Sequence, residues 1–213
     1  MADNAILEEI SENLQQGKAP QVKELVQKAV DEGIGPKEIL DGALIKGMGI
    51  VGERFKKNEV YVPEVLIAAR AMNGAMEIIK PKLISAGVKS KAVALVATVK
   101  GDLHDIGKNL VCMMLEGAGY EVVDLGVNAD PQKFVAAVEE HNADLIGLSA
   151  LLTTTMGAMK TTIEALTEAG VRDRVKVMVG GAPLTQSFAD EIGADGYAPD
   201  AASAVELADG LIG

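Results

Sequence analysis

Apolar side chains recur every three or four positions along residues 1–85, whereas from Lys91 short unbroken apolar runs alternate with stretches of helical period. In the first part, NAILEEISENLQQG places Ile6, Leu7, Ile10 and Leu14 on one helical face. APQVKELVQKAVDEG has Pro20 near its start and Gly33 at its end, the usual start and stop residues of a helix. GPKEILDGALIKGMGIVGERFKK begins at Pro36 and VPEVLIAARAMNGAMEIIKPKL at Pro63 in the same manner. Four helices joined by short connections predict a bundle of antiparallel neighbours. The third carries Gly42, Gly47, Gly49 and Gly52, and the fourth Ala68, Ala69, Ala71, Gly74 and Ala75. Glycine costs a helix roughly 1 kcal/mol relative to alanine. Such small-sided helices suit close packing on one another, or close approach to a flat ligand.

The second part changes period. KAVALVATV is a β-branched apolar run, suited to a strand buried on both faces. YEVVDLG, DLIGLSA, VKVMVGG and GYAP follow as strands, separated by the helical patterns DIGKNLVCMMLEGAG, PQKFVAAVEEHN, TTMGAMKTTIEALTEAG and TQSFADEIG, with AASAVELADGLIG closing the chain. Five strands alternating with helices predict an α/β fold with a parallel, flavodoxin-like (Rossmann-type) sheet of order 2-1-3-4-5. The polar stretch SAGVKSK, 85–91, divides the chain into a helical bundle over 1–88 and an α/β domain over 89–213. No internal repeat or low-complexity tract is visible.

Composition narrows the possible partners. The net charge is −11, and 89–213 alone carries 18 acids against nine bases. That balance repels nucleic-acid backbones and anionic lipid, which argues against nucleic-acid and membrane-surface binding. It reads as a solvated acidic surface, or as a docking face for a basic partner. Cys112 is the single cysteine, so neither an intramolecular disulfide nor a cysteine metal cluster can form. MADNAILEEISENL lacks the basic and apolar regions of a signal peptide, and no apolar stretch approaches the ~20 residues of a membrane span, so a cytoplasmic setting is expected.

Ligands of an open parallel sheet bind beyond the carboxyl ends of its strands, where strand order reverses. After strand one stands Lys100-Gly101-Asp102-Leu103-His104-Asp105-Ile106-Gly107; after strand three, Ser149-Ala150-Leu151-Leu152-Thr153-Thr154-Thr155; after strand four, Gly180-Gly181-Ala182-Pro183. One loop offers an imidazole beside carboxylates, the next hydroxyls, and the third bare backbone. Each has a plainer reading. A loop histidine is commonly a surface residue, Asp102 or Asp105 can cap the following helix, Ser149 and Thr155 can cap another, and Gly-Gly can be a tight turn. It is their conjunction on three neighbouring strand ends that points to a site. No phosphate-cradling GxGxxG follows strand one, and three Phe, three Tyr and no Trp leave little to stack on a flavin. A metallophosphoesterase reading of GDLH would need more histidines than His104 and His141. A phosphoacceptor receiver domain would need an aspartate after strand three, where LSALLTTT stands.

The pattern Asp102-Leu103-His104-Asp105-Ile106-Gly107, then Ser149-Ala150-Leu151, then Gly180-Gly181 resembles the D-x-H-x-x-G, S-x-L, G-G signature of cobalamin-binding domains. Forty-one residues separate Gly107 from Ser149 and 28 separate Leu151 from Gly180. The resemblance is to the cobalamin-binding module of cobalamin-dependent methionine synthase. It is stronger still to the free-standing corrinoid proteins of methylamine, methanol and methoxy-aromatic methyltransferase systems. MGIVGERFKKNEVYVPEVLIAARAM looks like their helical methyl cap, so the resemblance covers nearly the whole chain.

The resemblance implies cobalamin or a related corrinoid, cycling between methylcobalamin and cob(I)alamin and bound base-off/His-on. His104 is then the lower ligand to cobalt, with Asp102 bonded to its other ring nitrogen and Thr155 where the family has serine. Leu103, Asp105, Ile106 and Gly107 lie beside the corrin. Ser149, Thr153, Gly180 and Gly181 accommodate the displaced nucleotide tail, and Leu151 of the S-x-L motif is a further cofactor-binding residue. Phe55 and Val62 match the cap positions on the upper face, where Val62 replaces a frequent leucine. Met113, Met114 and Cys112 are expected in the core. The implied role is to carry a methyl group between a substrate-specific methyltransferase and an acceptor methyltransferase, with a reductive activase as third partner and the 85–91 joint as a hinge. A cobalamin-dependent sensor or a mutase subunit is the alternative. The sensor would add a DNA-binding module, and the mutase a barrel domain in place of the helical cap.

Overall fold

The computed structural model describes residues 2–213, with side chains from residue 5 onward. It divides into two compact units. One comprises residues 1–90 with the turn Gly117–Gly119, the other residues 91–116 and 120–213.

The first unit contains helices α1 (Ala2–Gln15), α2 (Ala19–Asp31), α3 (Pro36–Ile39), α4 (Lys46–Lys56) and α5 (Val62–Ser85). Proline stands in the first turn of α2, α3 and α5, where its missing N–H costs no helical bond. At the start of α5 the Glu64 carboxylate accepts from the Tyr61 backbone N–H at 3.0 Å. The stretch predicted as one helix from Pro36 to Lys57 is helical without a break from Pro36 to Lys56 but is not of one type. A π-helical turn, Leu40–Ile45, sits between α3 and α4. Ile10, Leu14, Val22, Val26, Ile39, Leu44, Val65 and Ile79 are completely buried between the helices. The small residues serve that packing: a Cβ at Gly47 would stand 3.1 Å from the Leu14 side chain and 3.2 Å from the Ser11 carbonyl.

The second unit is a five-stranded sheet in the order β2-β1-β3-β4-β5, every neighbouring pair parallel. Its strands are β1 (Val93–Val99), β2 (Glu121–Ala129), β3 (Leu145–Ser149), β4 (Lys176–Gly180) and β5 (Gly196–Ala198). Its helices are α6 (Ile106–Gly117), α7 (Pro131–His141), α8 (Gly157–Glu168), α9 (Gln186–Ile192) and α10 (Ala201–Ile212). Helix starts follow local chemistry. Asp130, Thr185 and Asp200 accept from the backbone N–H of Gln132, Phe188 and Ser203. The core gathers Leu95, Phe134, Val138, Ile146, Leu166, Val177 and their neighbours. Strand order reverses between β1 and β3, and the register pairs Thr98 with Ser149 and Ser149 with Gly180. The three candidate loops therefore leave the sheet side by side. β2 runs three residues beyond the predicted strand, through register shifts against β1.

Candidate functional site

Asp102 lies at the start of the site because β1 ends in a turn through Gly101, at φ 86°. The end of β2 holds this turn: Asn128 Oδ1 accepts from Gly101 N–H at 2.8 Å, and Asn128 N–H donates to the Asp102 carbonyl at 3.0 Å. The Asp102 side chain is fully buried. Its Oδ1 accepts from His104 Nδ1 at 2.7 Å and from His104 N–H at 3.1 Å. Its Oδ2 accepts from the N–H groups of Leu151 and Leu152 at 2.8 and 3.1 Å, and from Thr155 Oγ1 at 2.8 Å. Burial opposes ionisation, but the His104 ring, the Leu151 and His104 N–H groups and the Thr155 hydroxyl outweigh it. They hold the carboxyl well below the usual carboxylate range.

An ionised carboxylate only accepts, so the proton of the neutral imidazole resides on Nδ1 and Nε2 is left with its lone pair. Nε2 has no hydrogen-bond partner among the described residues, and half of the His104 side chain is exposed. Thr155, buried on the far side of Asp102, has one proton between two acceptors, Asp102 Oδ2 and the Leu152 carbonyl, each at 2.8 Å.

The segments on either side of Asp102 expose four large aliphatic side chains. Leu103 is 71% exposed, Ile106 76%, Leu151 44% and Leu152 42%. Leu103, Leu151 and Leu152 belong to the two loops that Asp102 joins, and Ile106 opens α6. Gly107, in the first turn of α6, would meet no protein atom within 4 Å if it carried a Cβ, so the protein's own packing does not demand glycine there. Gly181 is different: at φ 137°, its Cβ would fall 1.9 Å from the Ala150 carbonyl oxygen. A free imidazole nitrogen, flanked by exposed aliphatic side chains and an unfilled glycine position, fits a large flat macrocycle with a metal at its centre. The donor set is a single nitrogen, and no group of three or more His, Cys, Asp or Glu among the described residues could hold a bare ion.

The sheet end brings together Asp102, Leu103, His104, Leu151 and Thr155 through the Asp102 hydrogen bonds, with Asp105, Ile106 and Gly107 following in the same loop and first helical turn. Asp105 sits at the start of α6, where its carbonyl accepts from Asn109 N–H at 2.7 Å and its carboxylate from the Asn109 side chain at 3.2 Å. The Asp105 carboxylate thus pairs with a side chain of α6, whereas the Asp102 carboxylate is committed to the histidine and the loop after β3. Ser149 is half-buried at the end of β3, Thr153 is exposed in the following turn, and Gly180 and Gly181 end β4. Phe55 lies in α4 and Val62 opens α5, both half-buried in the helical unit. Met114 and Cys112 are buried, while Met113 is half-buried. Three contributors were not singled out in the sequence: Asn128, the Leu152 N–H, and Thr98, whose hydroxyl donates to the His104 carbonyl at 2.7 Å. Thr98 did leave a signal, being the polar residue in an otherwise apolar strand.

Two family models, both B12 binding domains, match the chain, one over residues 92–206 and one over 6–80. The chain belongs to the B12-binding family. A corrinoid protein of Desulfitobacterium hafniense is 44% identical over 98% of both chains. The dimethylamine corrinoid protein of Methanosarcina barkeri is 43% identical over the full length of both. Among solved structures, the methanol:cobalamin methyltransferase complex of Methanosarcina barkeri matches with a TM-score of 0.87 at 32% identity, over 98% of this chain and 80% of that one. The corrinoid macrocycle is thus the group that the exposed imidazole and its aliphatic surround fit.

Proposed function

We propose that this B12-binding chain is a corrinoid methyl carrier. It takes a methyl group from a substrate-specific methyltransferase acting on a methylamine, quaternary amine, methanol or aryl methyl ether. It delivers that group to a second methyltransferase with a thiol or tetrahydropterin/tetrahydrofolate acceptor. A reductive activase restores the cofactor after oxidation, and the setting is cytoplasmic. The observation that carries this reading is the clamp on His104: a buried carboxylate holds Nδ1–H of a half-exposed imidazole and leaves Nε2 without a protein partner among the described residues. The relatives named above, a dimethylamine corrinoid protein and a partner in a methanol:cobalamin methyltransferase complex, support it.

When bound, the corrinoid cobalt supplies the methyl-accepting and methyl-donating centre. His104 presents Nε2 as the lower donor. Asp102 fixes the tautomer and the ring orientation, and raises the donor strength of the imidazole through the Nδ1 bond. Thr155 and the Leu151 and Leu152 N–H groups hold Asp102 in its ionised form. Leu103, Ile106, Leu151 and Leu152 would cover a bound corrinoid and shield it from water. Ser149, Thr153, Gly180 and Gly181 leave room for the detached nucleotide tail, and Phe55 and Val62 take the cap role of the family.

The test is reconstitution with cobalamin, gel filtration, and incubation with dimethylamine-, trimethylamine- and methanol-specific methyltransferases, each with its substrate. The expected result is a coloured protein whose absorption spectrum shifts with one methyltransferase and shifts back on addition of an acceptor enzyme with its thiol. A protein that leaves the column colourless, or a bound corrinoid that no methyltransferase alters, would contradict the proposal.

A further inference from the structure

We propose that Thr98 is a positioning residue for His104, setting where Nε2 is presented to the corrinoid; this rests on the reading of His104 as the lower ligand. Both contacts that Asp102 makes with His104, to the backbone N–H and to Nδ1, end on one oxygen atom, Oδ1. Two bonds converging on one atom still allow the residue to swing about it. The constraint that removes this freedom lies on the other side of the His104 Cα, where the carbonyl accepts from Thr98 Oγ1 at 2.7 Å.

Thr98 is well suited to act as a fixed post. It is completely buried in β1, one residue from its end, and its backbone pairs with Ser149 in β3. A β-branched side chain has few accessible χ1 angles, so its hydroxyl inherits the rigidity of the strand. A hydroxyl buried in an apolar strand is costly unless bonded. Here the hydroxyl is spent on the carbonyl of the residue whose imidazole must be aimed. The other residues of β1, Val93 to Val99, are apolar. Valine at 98 would have satisfied the strand equally well, so the hydroxyl has its use in the loop.

A merely structural role would change stability and leave ligation untouched, so the test reads ligation. Protein labelled with histidine carrying the heavy, spin-one-half nitrogen isotope is loaded with cobalamin and reduced by one electron. Its electron-spin resonance lines are then examined. A labelled protein imidazole on cobalt splits each line into a doublet. The cofactor's own base, with natural nitrogen, gives a triplet. In the wild type the doublet should dominate. In Thr98→Val, which keeps the shape and removes the donor to the His104 carbonyl, the ratio of histidine-bound to other forms should fall by about tenfold, the loss of one hydrogen bond. Thr98→Ser should stay within about twofold of the wild type, because it retains the donor. If Thr98→Val does not fold, Thr98→Ala against Thr98→Ser makes the same comparison, both lacking the methyl and one lacking the hydroxyl. An unaltered doublet in the hydroxyl-free variant overturns the proposal, as does an equal loss in Thr98→Ser, which would assign the effect to the methyl group. A triplet in the wild type itself removes His104 from the cobalt and brings down both readings together.

Discussion

The Asp102 carboxylate receives five hydrogen bonds from four residues, and each of its oxygens is committed to a different loop: Oδ1 to His104, Oδ2 to Leu151, Leu152 and Thr155. An asparagine cannot reproduce this, since its NH2 group would face donors on one side or the other. Asp102→Asn should therefore cost about 3 kcal/mol of folding stability near neutral pH, measured by urea unfolding of the protein without cofactor. The cost should depend on pH. The folded carboxyl is held well below its usual range. An unfolded aspartate titrates near ~3.9. The carboxylate's contribution is then complete above that value and is lost as pH falls below it towards the lower folded value. The difference between wild type and Asp102→Asn should shrink as pH drops from about 4 to about 2.

Cys112 behaves oppositely. Burial, with lesser effects from Asp124 and Glu116 and against the pull of Lys108, pushes its thiol up to about 12. It should react with a thiol-specific disulfide reagent at pH 8 far more slowly in the native protein than after unfolding in guanidinium, followed by absorbance. Equal rates would contradict its burial in α6.

At the scale of elements, the two glycine positions of the site separate packing from ligand space. Gly181→Ala drives a methyl into the Ala150 carbonyl at a backbone angle that side chains rarely adopt. It should lower stability by about 3 kcal/mol or more, as a drop in urea midpoint. Gly107→Ala meets no protein atom within 4 Å and lies in a helix. It should leave the cofactor-free protein as stable or up to about 1 kcal/mol more stable, while weakening retention of cobalamin on gel filtration. Loss of stability without loss of retention would reverse the assignment of that open space.

These elements also show what the sequence could and could not disclose. Strand β1 and the loops after β1, β3 and β4 were legible because a buried parallel strand is a continuous apolar run and the site residues stand at its end. The π-helical turn over Leu40–Ile45 was not, because its six residues are too few to establish a period of their own. The last residues of β2 were hidden by Gly126 and Asn128, which in sequence look like a turn and in the structure sit at positive φ within a bulged strand. Asp102 and Asp105 were equivalent candidates for helix capping in the sequence; only the hydrogen bonds show that the Asp102 carboxylate serves His104 and the loop after β3 instead. Thr98 was obscured by the apolar run that surrounds it.

For the whole molecule, the net charge of −11 and the concentration of acids in 89–213 predict behaviour at large distances. A DNA duplex should migrate unshifted in the presence of about 10 μM protein at physiological salt. No helix among the described residues is long and apolar enough to cross a membrane. The B12-binding family match extends over both compact units, one model covering residues of each. The bond on which the account depends, from His104 Nε2 to cobalt, is best tested by a crystal structure of the cobalamin-loaded protein, with the metal located from its anomalous scattering. The account predicts a cobalt peak within bonding distance of His104 Nε2, with the nucleotide base swung away from the metal. A cobalt still ligated by that base, or a macrocycle bound away from the Leu103 and Ile106 surface, would contradict it.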